Sequence, residues 1–148
     1  MINGRSEGFF KGSRGLQQGD PFSPMLFDIV IEGLSRMLDR VVQNGYLSSF
    51  FMGSSDRQQL LISHLFFAVD SLIFCDADPQ QLTSLRYVFT WFEAVSGLKI
   101  NLGKSKLVLV GEVSCMDSLV DILGCQVGSL PMKYLGVPLG VGFKDKAI

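Results

Sequence analysis

The sequence is poor in the residues that build metal sites and disulfide frameworks. Among its 148 residues there is one histidine, His64, and there are three cysteines, Cys75, Cys115 and Cys125. The cysteines are odd in number and include no Cys-x-x-Cys pair, so neither a disulfide framework nor a zinc site is indicated. We expect three ordinary buried thiols.

Long apolar runs and an excess of one charge are also missing. No apolar run approaches the roughly 18 residues that a membrane-spanning helix requires, and the first residues, Met1 to Arg5, contain no apolar core of a signal peptide. The net charge of −1 gives no overall attraction to nucleic acid. These absences predict an intracellular protein with no membrane span, in a compartment that the sequence leaves open.

Hydrophobic residues, in contrast, are abundant, at 47% of the chain with a mean hydropathy of +0.32. A chain of this length can bury about 70% of its unfolded surface in one domain, yet the hydropathy is high for a soluble protein. A piece of a larger protein would expose apolar faces that its neighbours normally cover. We therefore expect a fragment whose exposed apolar faces allow self-association.

The first half of the chain predicts a strand, a loop and a helix. The strand, Glu7 to Lys11, runs into a glycine-rich loop, Gly12 to Asp20. Ser23 is a good N-cap with Pro24 at the first helical position, and Asn44-Gly45 supplies the stop. The apolar residues of this helix form one stripe: Phe27, Val30, Ile31, Leu34, Met37, Leu38 and Val41.

A second helix has the clearest end signals in the chain. Asp78 is its predicted N-cap, Pro79 lies just inside it, and Ser96-Gly97 ends it. Its apolar residues recur at intervals of three or four: Leu82, Leu85, Phe89, Phe92 and Val95. This pattern predicts an amphipathic helix with one buried face.

The remaining apolar segments predict strands. Ile62 to Cys75 predicts a hairpin that is apolar on both faces, as expected of central strands. Leu98 to Ile100 and Lys106 to Val110 are predicted strands separated by a turn, and Ser114 to Leu123 is a short helix with a capping box. Lys133 to Leu139 is strand-like, with a proline that assigns it to a sheet edge. The pattern is α+β: an antiparallel sheet and its hairpin packed on two main helices.

An acidic residue at the bend of the predicted hairpin is the most informative feature. Asp70 follows Phe67-Ala68-Val69 between two apolar runs. A carboxylate in such a place is costly without a partner, and a divalent cation is a common compensation. A two-residue turn often requires positive φ, which a β-branched residue resists. We therefore predict a strained or rearranged turn at Val69, and an aspartate variant there that is at least as stable.

Four motifs, taken in order, resemble the reverse transcriptase palm of non-LTR retrotransposons of the long interspersed kind, in the forms common in plant genomes. Ser13 to Pro24 is similar to the family's Arg-Gly-Leu-Arg-Gln-Gly-Asp-Pro-Leu-Ser-Pro loop, and His64 to Phe74 to its hairpin with a Phe/Tyr-Ala-Asp-Asp turn. Phe92 to Lys106 resembles the Ser-Gly-Leu-Lys-Ile-Asn-x-x-Lys-Ser corner, and Leu130 to Gly140 the Leu-Pro-x-Lys-Tyr-Leu-Gly-x-Pro-Leu-Gly segment. The resemblance spans most of the chain. It departs from the family at Val69, which replaces the first aspartate of the turn.

The resemblance implies roles for individual residues. Gln18 and Gly19 would lie against the incoming nucleotide and template, with Phe67 and Ala68 also on the substrate side. Lys104 would lie near the triphosphate, as a proton donor to the leaving group. A primer-positioning hairpin would contain Lys133, Tyr134, Leu135 and Gly136. Plainer alternatives stay open for the first loop, for Lys104 and for the last segment: a helix-capping turn, a surface lysine and an ordinary edge strand.

Catalysis in this family needs two divalent ions held by carboxylates from an upstream strand and from the hairpin turn. The fingers and the upstream aspartate strand would precede Met1, so of the expected ligands only Asp70 remains. A unit charge about 4 Å from a divalent ion interacts with it by roughly 8 kcal/mol at an effective dielectric near 20. Asp76 and Asp78 are poor substitutes, because turn chemistry and the N-cap role explain them. The resemblance therefore implies a partial reverse transcriptase domain over residues 1–148 that is inactive and binds Mg²⁺ weakly at best.

Other classes of function remain as alternatives. A non-enzymatic module derived from the same domain could bind primer-template RNA/DNA or protein through two basic groups: Arg5, Lys11 and Arg14, and Lys99, Lys104 and Lys106. Scattered solvated basic residues give the same pattern. An unrelated α+β enzyme with a phosphate-binding loop would need a base or a nucleophile, and no pairing of His64 with a cysteine or serine is indicated by spacing.

Overall fold

The computed structural model of the chain describes residues 19–52, 60–113 and 116–140. These residues form three helices and eight short strands, which confirms the α+β class. The elements in chain order are α1 (Phe22–Gln43), β1 (Phe50–Met52), β2 (Leu60–Ile62), β3 (His64–Phe67), β4 (Asp70–Ile73), α2 (Pro79–Ser96), β5 (Lys106–Val108), α3 (Met116–Leu123), β6 (Gln126–Gly128), β7 (Met132–Tyr134) and β8 (Val137–Leu139). The predicted strand at Glu7 to Lys11 lies outside the described residues.

The strands pair two by two, which differs from the one antiparallel sheet expected. In the described ranges, β1–β2, β3–β4 and β7–β8 are antiparallel pairs, and β5–β6 is a parallel pair. Parallel neighbours need a crossover connection, and α3 lies in the connection between β5 and β6. The pairing of Lys106 with Gln126 begins this unit, next to a hydrogen bond from the Gln126 N–H to the Ser105 carbonyl. No strand was predicted at β6.

The first helix begins earlier than the predicted cap. Asp20 Oδ1 accepts a hydrogen bond from the Phe22 N–H at 2.9 Å, and the Ser23 N–H donates to the Asp20 carbonyl at 3.1 Å. Ser23 and Pro24 therefore lie inside the first turn of α1, and the prediction of Ser23 as the N-cap is wrong. An aspartate two residues before a backbone N–H satisfies it as well as a serine does.

The predicted end of α1 and both predicted ends of α2 are confirmed, whereas the capping box predicted at Ser114 lies outside the described residues. Gly45, with φ +76°, donates to the Val42 carbonyl, and Tyr46 donates to the Val41 carbonyl, which is a Schellman motif at the end of α1. Asp78 Oδ2 accepts from the Gln81 N–H at 3.1 Å at the start of α2, with Pro79 as its first residue. Gly97, with φ +72°, ends α2.

The core lies where α2 packs against α1 and α3. It is formed mostly by leucines, with one residue from the loop after α1: Leu34, Leu38, Leu47, Leu82, Leu85, Val88, Phe92, Leu119 and Leu123. The predicted stripe of α1 is confirmed at Leu34 and Leu38. On α2 the predicted Leu82, Leu85 and Phe92 are buried, whereas the predicted Val95 is 79% exposed. Val88, which was not predicted, is also buried.

The predicted strand Leu98 to Ile100 does not form. Ser96 Oγ accepts a hydrogen bond from the Leu98 N–H at 3.1 Å, and Glu93 Oε1 accepts one from the Ile100 N–H at 2.8 Å. Side chains at the end of α2 therefore satisfy the backbone donors that a neighbouring strand would have used. The same Ile100 N–H, with help from the Lys99 ammonium at 3.2 Å, lowers the pKa of Glu93.

A glutamine fixes the start of α2 against the loop that follows α1. Gln81 Oε1 accepts from the backbone N–H groups of Ser48 and Asp76 at 2.9 and 3.1 Å. Its Nε2 donates to Ser48 Oγ, which in turn donates to Asp76 Oδ2 at 2.6 Å. The chain leaving β4 is thereby held beside both helices.

Among the described residues no helix is both long and apolar enough to cross a membrane.

Candidate functional site

The predicted hairpin is present, and Asp70 lies at its bend. β3 and β4 pair from His64 opposite Ile73 to Phe67 opposite Asp70, which leaves Ala68 and Val69 as a two-residue loop. Phe67 and Asp70 are exposed to solvent. The expectation of a costly carboxylate between buried strands is therefore wrong, because water solvates Asp70 at this bend.

Strain in the turn falls on a different residue from the one predicted. Ala68 has φ +49°, in the left-handed region, whereas Val69 is not among the described residues of positive φ. Positive φ at the first central position alone is the pattern of a type II′ turn, which favours glycine there. The Val69 side chain is 79% exposed. The prediction of a strained Val69 is wrong, because this turn type imposes its constraint one residue earlier.

The bend offers few ligands to a cation. Within the described ranges no group of three or more histidine, cysteine, aspartate or glutamate side chains could hold a metal ion. Asp70 contributes one carboxylate, and Val69 has no ligand atom. Mg²⁺ requires near-octahedral oxygen coordination, with one or two carboxylates supplemented by water and phosphate. The donor set at the bend does not fit a pair of divalent ions.

Just before α1 lies Gly19, the one described member of the pair assigned to the nucleotide and template. Gly19 has φ +92°, a conformation that L side chains rarely adopt, and it precedes Asp20, whose carboxylate accepts from the Phe22 N–H at the start of α1. Gln18 lies outside the described residues. Backbone N–H groups at such a loop and helix start can bind an anion closely.

Lys104 lies in the turn between α2 and β5. Its backbone N–H donates to Asn101 Oδ1 and to the Asn101 carbonyl, each at 3.1 Å, and Ser105 Oγ donates to the same carbonyl. The turn is thus held by Asn101. Lys104 is exposed, and its side chain forms no ion pair with another described residue.

The last predicted site segment is a hairpin. Leu135 and Gly136, with φ +51° and +80°, join β7 to β8, and positive φ at both positions is the pattern of a type I′ turn. Lys133 pairs with Pro138 on this isolated two-stranded ribbon and is exposed, while the Tyr134 hydroxyl is buried with no hydrogen-bond partner among the described residues. The edge position predicted for the proline is confirmed.

The structure also brings together residues that the sequence did not connect. His64 Nε2 lies 2.7 Å from Ser35 Oγ on α1, and His64 Nδ1 lies 2.8 Å from Ser63 Oγ. Burial lowers the pKa of His64, and the negative charge of Asp39 partly opposes that shift. No carboxylate of the described residues accepts from the imidazole, so this group lacks the orienting acid of a serine hydrolase triad. The sequence contained one indication of this contact. Ser35 follows Leu34 and lies one turn after Ile31, so it is next to the apolar stripe of α1.

The two described cysteines are free thiols. Cys75 and Cys125 are free and half-buried, and Cys115 lies outside the described residues. Burial, together with the charges of Asp76 and Asp78, raises the pKa of Cys75 to about 11, and burial raises the pKa of Cys125. Both thiols are therefore protonated at neutral pH and are poor nucleophiles.

Comparison with known proteins identifies a family and a relative to which the chain is similar. The family model described as reverse transcriptase (RNA-dependent DNA polymerase) matches residues 1–139. An uncharacterized mitochondrial protein of Arabidopsis thaliana is 39% identical over 71 residues, which cover 48% of this chain and 56% of that protein. The chain thus spans about half of that relative's length. No solved structure matches.

Proposed function

Because the chain belongs to the reverse transcriptase family, we propose that it is part of an RNA-directed DNA polymerase of a non-LTR retrotransposon and has lost polymerase activity. The observation on which this rests is the hairpin bend, where Asp70 pairs with Phe67 and Val69 takes the place that the family gives to an aspartate. The four motifs of the sequence support the non-LTR origin, and the order of α1, hairpin and α2 agrees with a palm.

The chemistry explains why one substitution matters. Polymerases of this family use two divalent ions, one that activates the primer hydroxyl and one that stabilises the leaving pyrophosphate. Carboxylates at the turn supply ligands to those ions, and the isopropyl group of Val69 supplies none. A single exposed Asp70 leaves an ion dependent on water and phosphate. This chain is therefore proposed to bind Mg²⁺ weakly and to catalyse no nucleotide addition.

The remaining site residues keep geometry suited to nucleic acid. Gly19 brings open backbone to the start of α1, and Lys104 presents an exposed ammonium with no carboxylate partner among the described residues. Lys133 projects from the edge of a hairpin. We assign these residues to template and nucleotide, to the triphosphate, and to the primer, respectively. Phe67 and Ala68 are exposed beside Asp70, on the side assigned to the substrate.

Exposed apolar residues on the first half of α1 support the proposal that the chain is part of a larger assembly. Large side chains there that face solvent are Phe22, Met25, Leu26 and Ile29. Apolar surfaces of this kind normally mark contacts with another domain or molecule. Self-association of the isolated chain through this surface is a second proposal, which the elution volume in gel filtration at rising protein concentration tests.

Primer extension on an RNA template with a DNA primer tests the loss of activity. The chain is expected to add no nucleotide in Mg²⁺ or Mn²⁺, while its binding to the same primer-template weakens as salt rises. Extension by the unmodified chain that disappears in Asp70→Asn would overturn the proposed inactivity. Absence of any salt-dependent binding would overturn the assignment of Gly19, Lys104 and Lys133 to nucleic acid.

A further inference from the structure

An open groove lies between α1 and α2. It is on a part of the molecule to which we assign no role in polymerisation. It encloses about 700 Å³, and its lining includes Arg36, Arg40, Val41, Tyr87, Val88 and Trp91. None of the residues to which we assign contact with nucleic acid lines it. We refer to this surface as the α1–α2 groove.

The two walls of the groove are of different chemistry. On α2, Tyr87 and Trp91 are one turn apart and are 64% and 63% exposed. On α1, Arg36 and Arg40 are likewise one turn apart, and residues at this spacing lie side by side on a helix surface. Trp, Tyr and Arg are the residue types that contribute most of the binding energy at protein interfaces.

The apolar floor and the charges of the groove indicate what kind of partner binds in it. Val41 and the buried Val88 form an apolar floor that suits side chains rather than phosphates. Among the described residues no carboxylate lies within 4.0 Å of Arg40, and the Arg36 pair with Glu32 at 2.9 Å is exposed and weak. Arg36 and Arg40 are the charged residues of the lining, and together they favour a partner that carries carboxylates beside apolar side chains.

We propose that the α1–α2 groove binds an acidic amphipathic helix of a partner protein. The apolar face of that helix packs on Tyr87 and Trp91, and carboxylates along its flank pair with Arg36 and Arg40. This is the helix-in-groove mode of recognition, in which apolar anchors recur at helical spacing. The inference is independent of polymerase ancestry, because it uses no residue of the hairpin bend.

The single tryptophan of the chain makes the proposal measurable, because Trp91 lies in the groove. The probe is a synthetic, tryptophan-free helical peptide with leucine at positions i, i+3, i+4 and i+7 and glutamate along one flank. A matched peptide has lysine in place of each glutamate. The glutamate peptide is expected to shift Trp91 emission to shorter wavelength and to bind at least about tenfold more tightly than the lysine peptide.

Variants separate charge recognition from general adhesion. Arg40→Glu is expected to reverse the preference between the two peptides, and Tyr87→Ala to weaken binding of the glutamate peptide by about tenfold. Val95→Ala is the matched control, because Val95 is exposed on the same helix but does not line the groove. It should leave both affinities unchanged. Circular dichroism of each variant checks that the helices are retained.

Four results would overturn the proposal. One is an emission spectrum of Trp91 that does not respond to the glutamate peptide up to roughly 1 mM. Another is equal binding of both peptides that Arg40→Glu leaves unchanged. A shift caused by oligo(dT) and not by the peptide would assign the groove to nucleic acid. A shift that depends on the concentration of the chain itself would assign it to a second copy.

Discussion

His64 Nε2 and Ser35 Oγ lie 2.7 Å apart, and this hydrogen bond connects the first strand of the hairpin to the middle of α1. Ser63 Oγ, 2.8 Å from Nδ1, occupies the other ring nitrogen, and the ring of Phe66 lies 4.9 Å from that of His64. A neutral imidazole donates from one nitrogen and accepts at the other, so both serines can be satisfied. A protonated imidazole can only donate.

This arrangement predicts that the fold is less stable in mild acid. Burial lowers the pKa of His64 from its usual value of 6.5, so the unfolded chain binds more protons as pH falls through that value. Stability is therefore fully present above about pH 6.5 and decreases below it. The urea midpoint is expected to fall between about pH 7 and about pH 5.5.

His64→Gln should remove this pH dependence while keeping side-chain hydrogen bonding. His64 is the only histidine of the chain, so no other side chain of unperturbed pKa titrates in that interval. An equal fall of the midpoint in the wild type and in His64→Gln would contradict the role given to His64.

The turn of the hairpin predicts different effects on stability for two neighbouring substitutions. Ala68→Gly should raise the free energy of unfolding by about 0.5 to 1 kcal/mol, because relief of the left-handed conformation exceeds the entropy that glycine adds to the unfolded chain. Val69→Asp should change it by no more than about 0.5 kcal/mol, since Val69 is exposed and unstrained. Urea denaturation measures both. A clear gain in Val69→Asp with none in Ala68→Gly would return the strain to Val69.

Structural features that depend on residues close together in the sequence were predictable from the sequence. Asp78, Pro79 and Gly97 bound α2 because each acts on backbone groups within one turn. The hairpin followed from two apolar runs separated by a short bend, and its position at Asp70 is confirmed. These are local effects, so the residues concerned lie next to one another in the chain.

Features set by distant residues were not predictable in the same way. The parallel pairing of β5 with β6 joins Lys106 to Gln126, and the hydrogen bond of His64 crosses from a strand to a helix. The β-propensity of Leu98 to Ile100 was overridden by the Glu93 carboxylate, which takes the Ile100 N–H. In the first two cases the partner is determined by tertiary packing, and in the third by a side chain seven residues earlier in the chain. Hydrophobic periodicity predicts neither kind of partner.

The cap of α2 predicts a stability difference between two conservative variants. Asp78→Ala removes the oxygen that accepts from the Gln81 N–H and should cost about 1 kcal/mol. Asp78→Asn keeps an acceptor at that place and should cost a few tenths of a kcal/mol. Because Gln81 also bonds Ser48 and Asp76, the alanine variant should loosen the loop after α1, which amide hydrogen exchange at Ser48 reports. Equal stability of the two variants would show that the cap contributes little.

The hairpin bend, finally, predicts how the chain responds to Mg²⁺. One exposed carboxylate beside a valine holds the ion no better than other surface carboxylates, because a tight site needs several oxygen ligands in octahedral geometry. Calorimetric titration with MgCl₂ should therefore give the same weak heats for the wild type and for Asp70→Asn. Val69→Asp places a second carboxylate next to Asp70 and should strengthen binding by a few-fold, since the added charge attracts the ion through solvent. Tight binding by the unmodified chain that Asp70→Asn abolishes would show that further ligands surround the bend, and the proposed loss of polymerase activity would then fail with it.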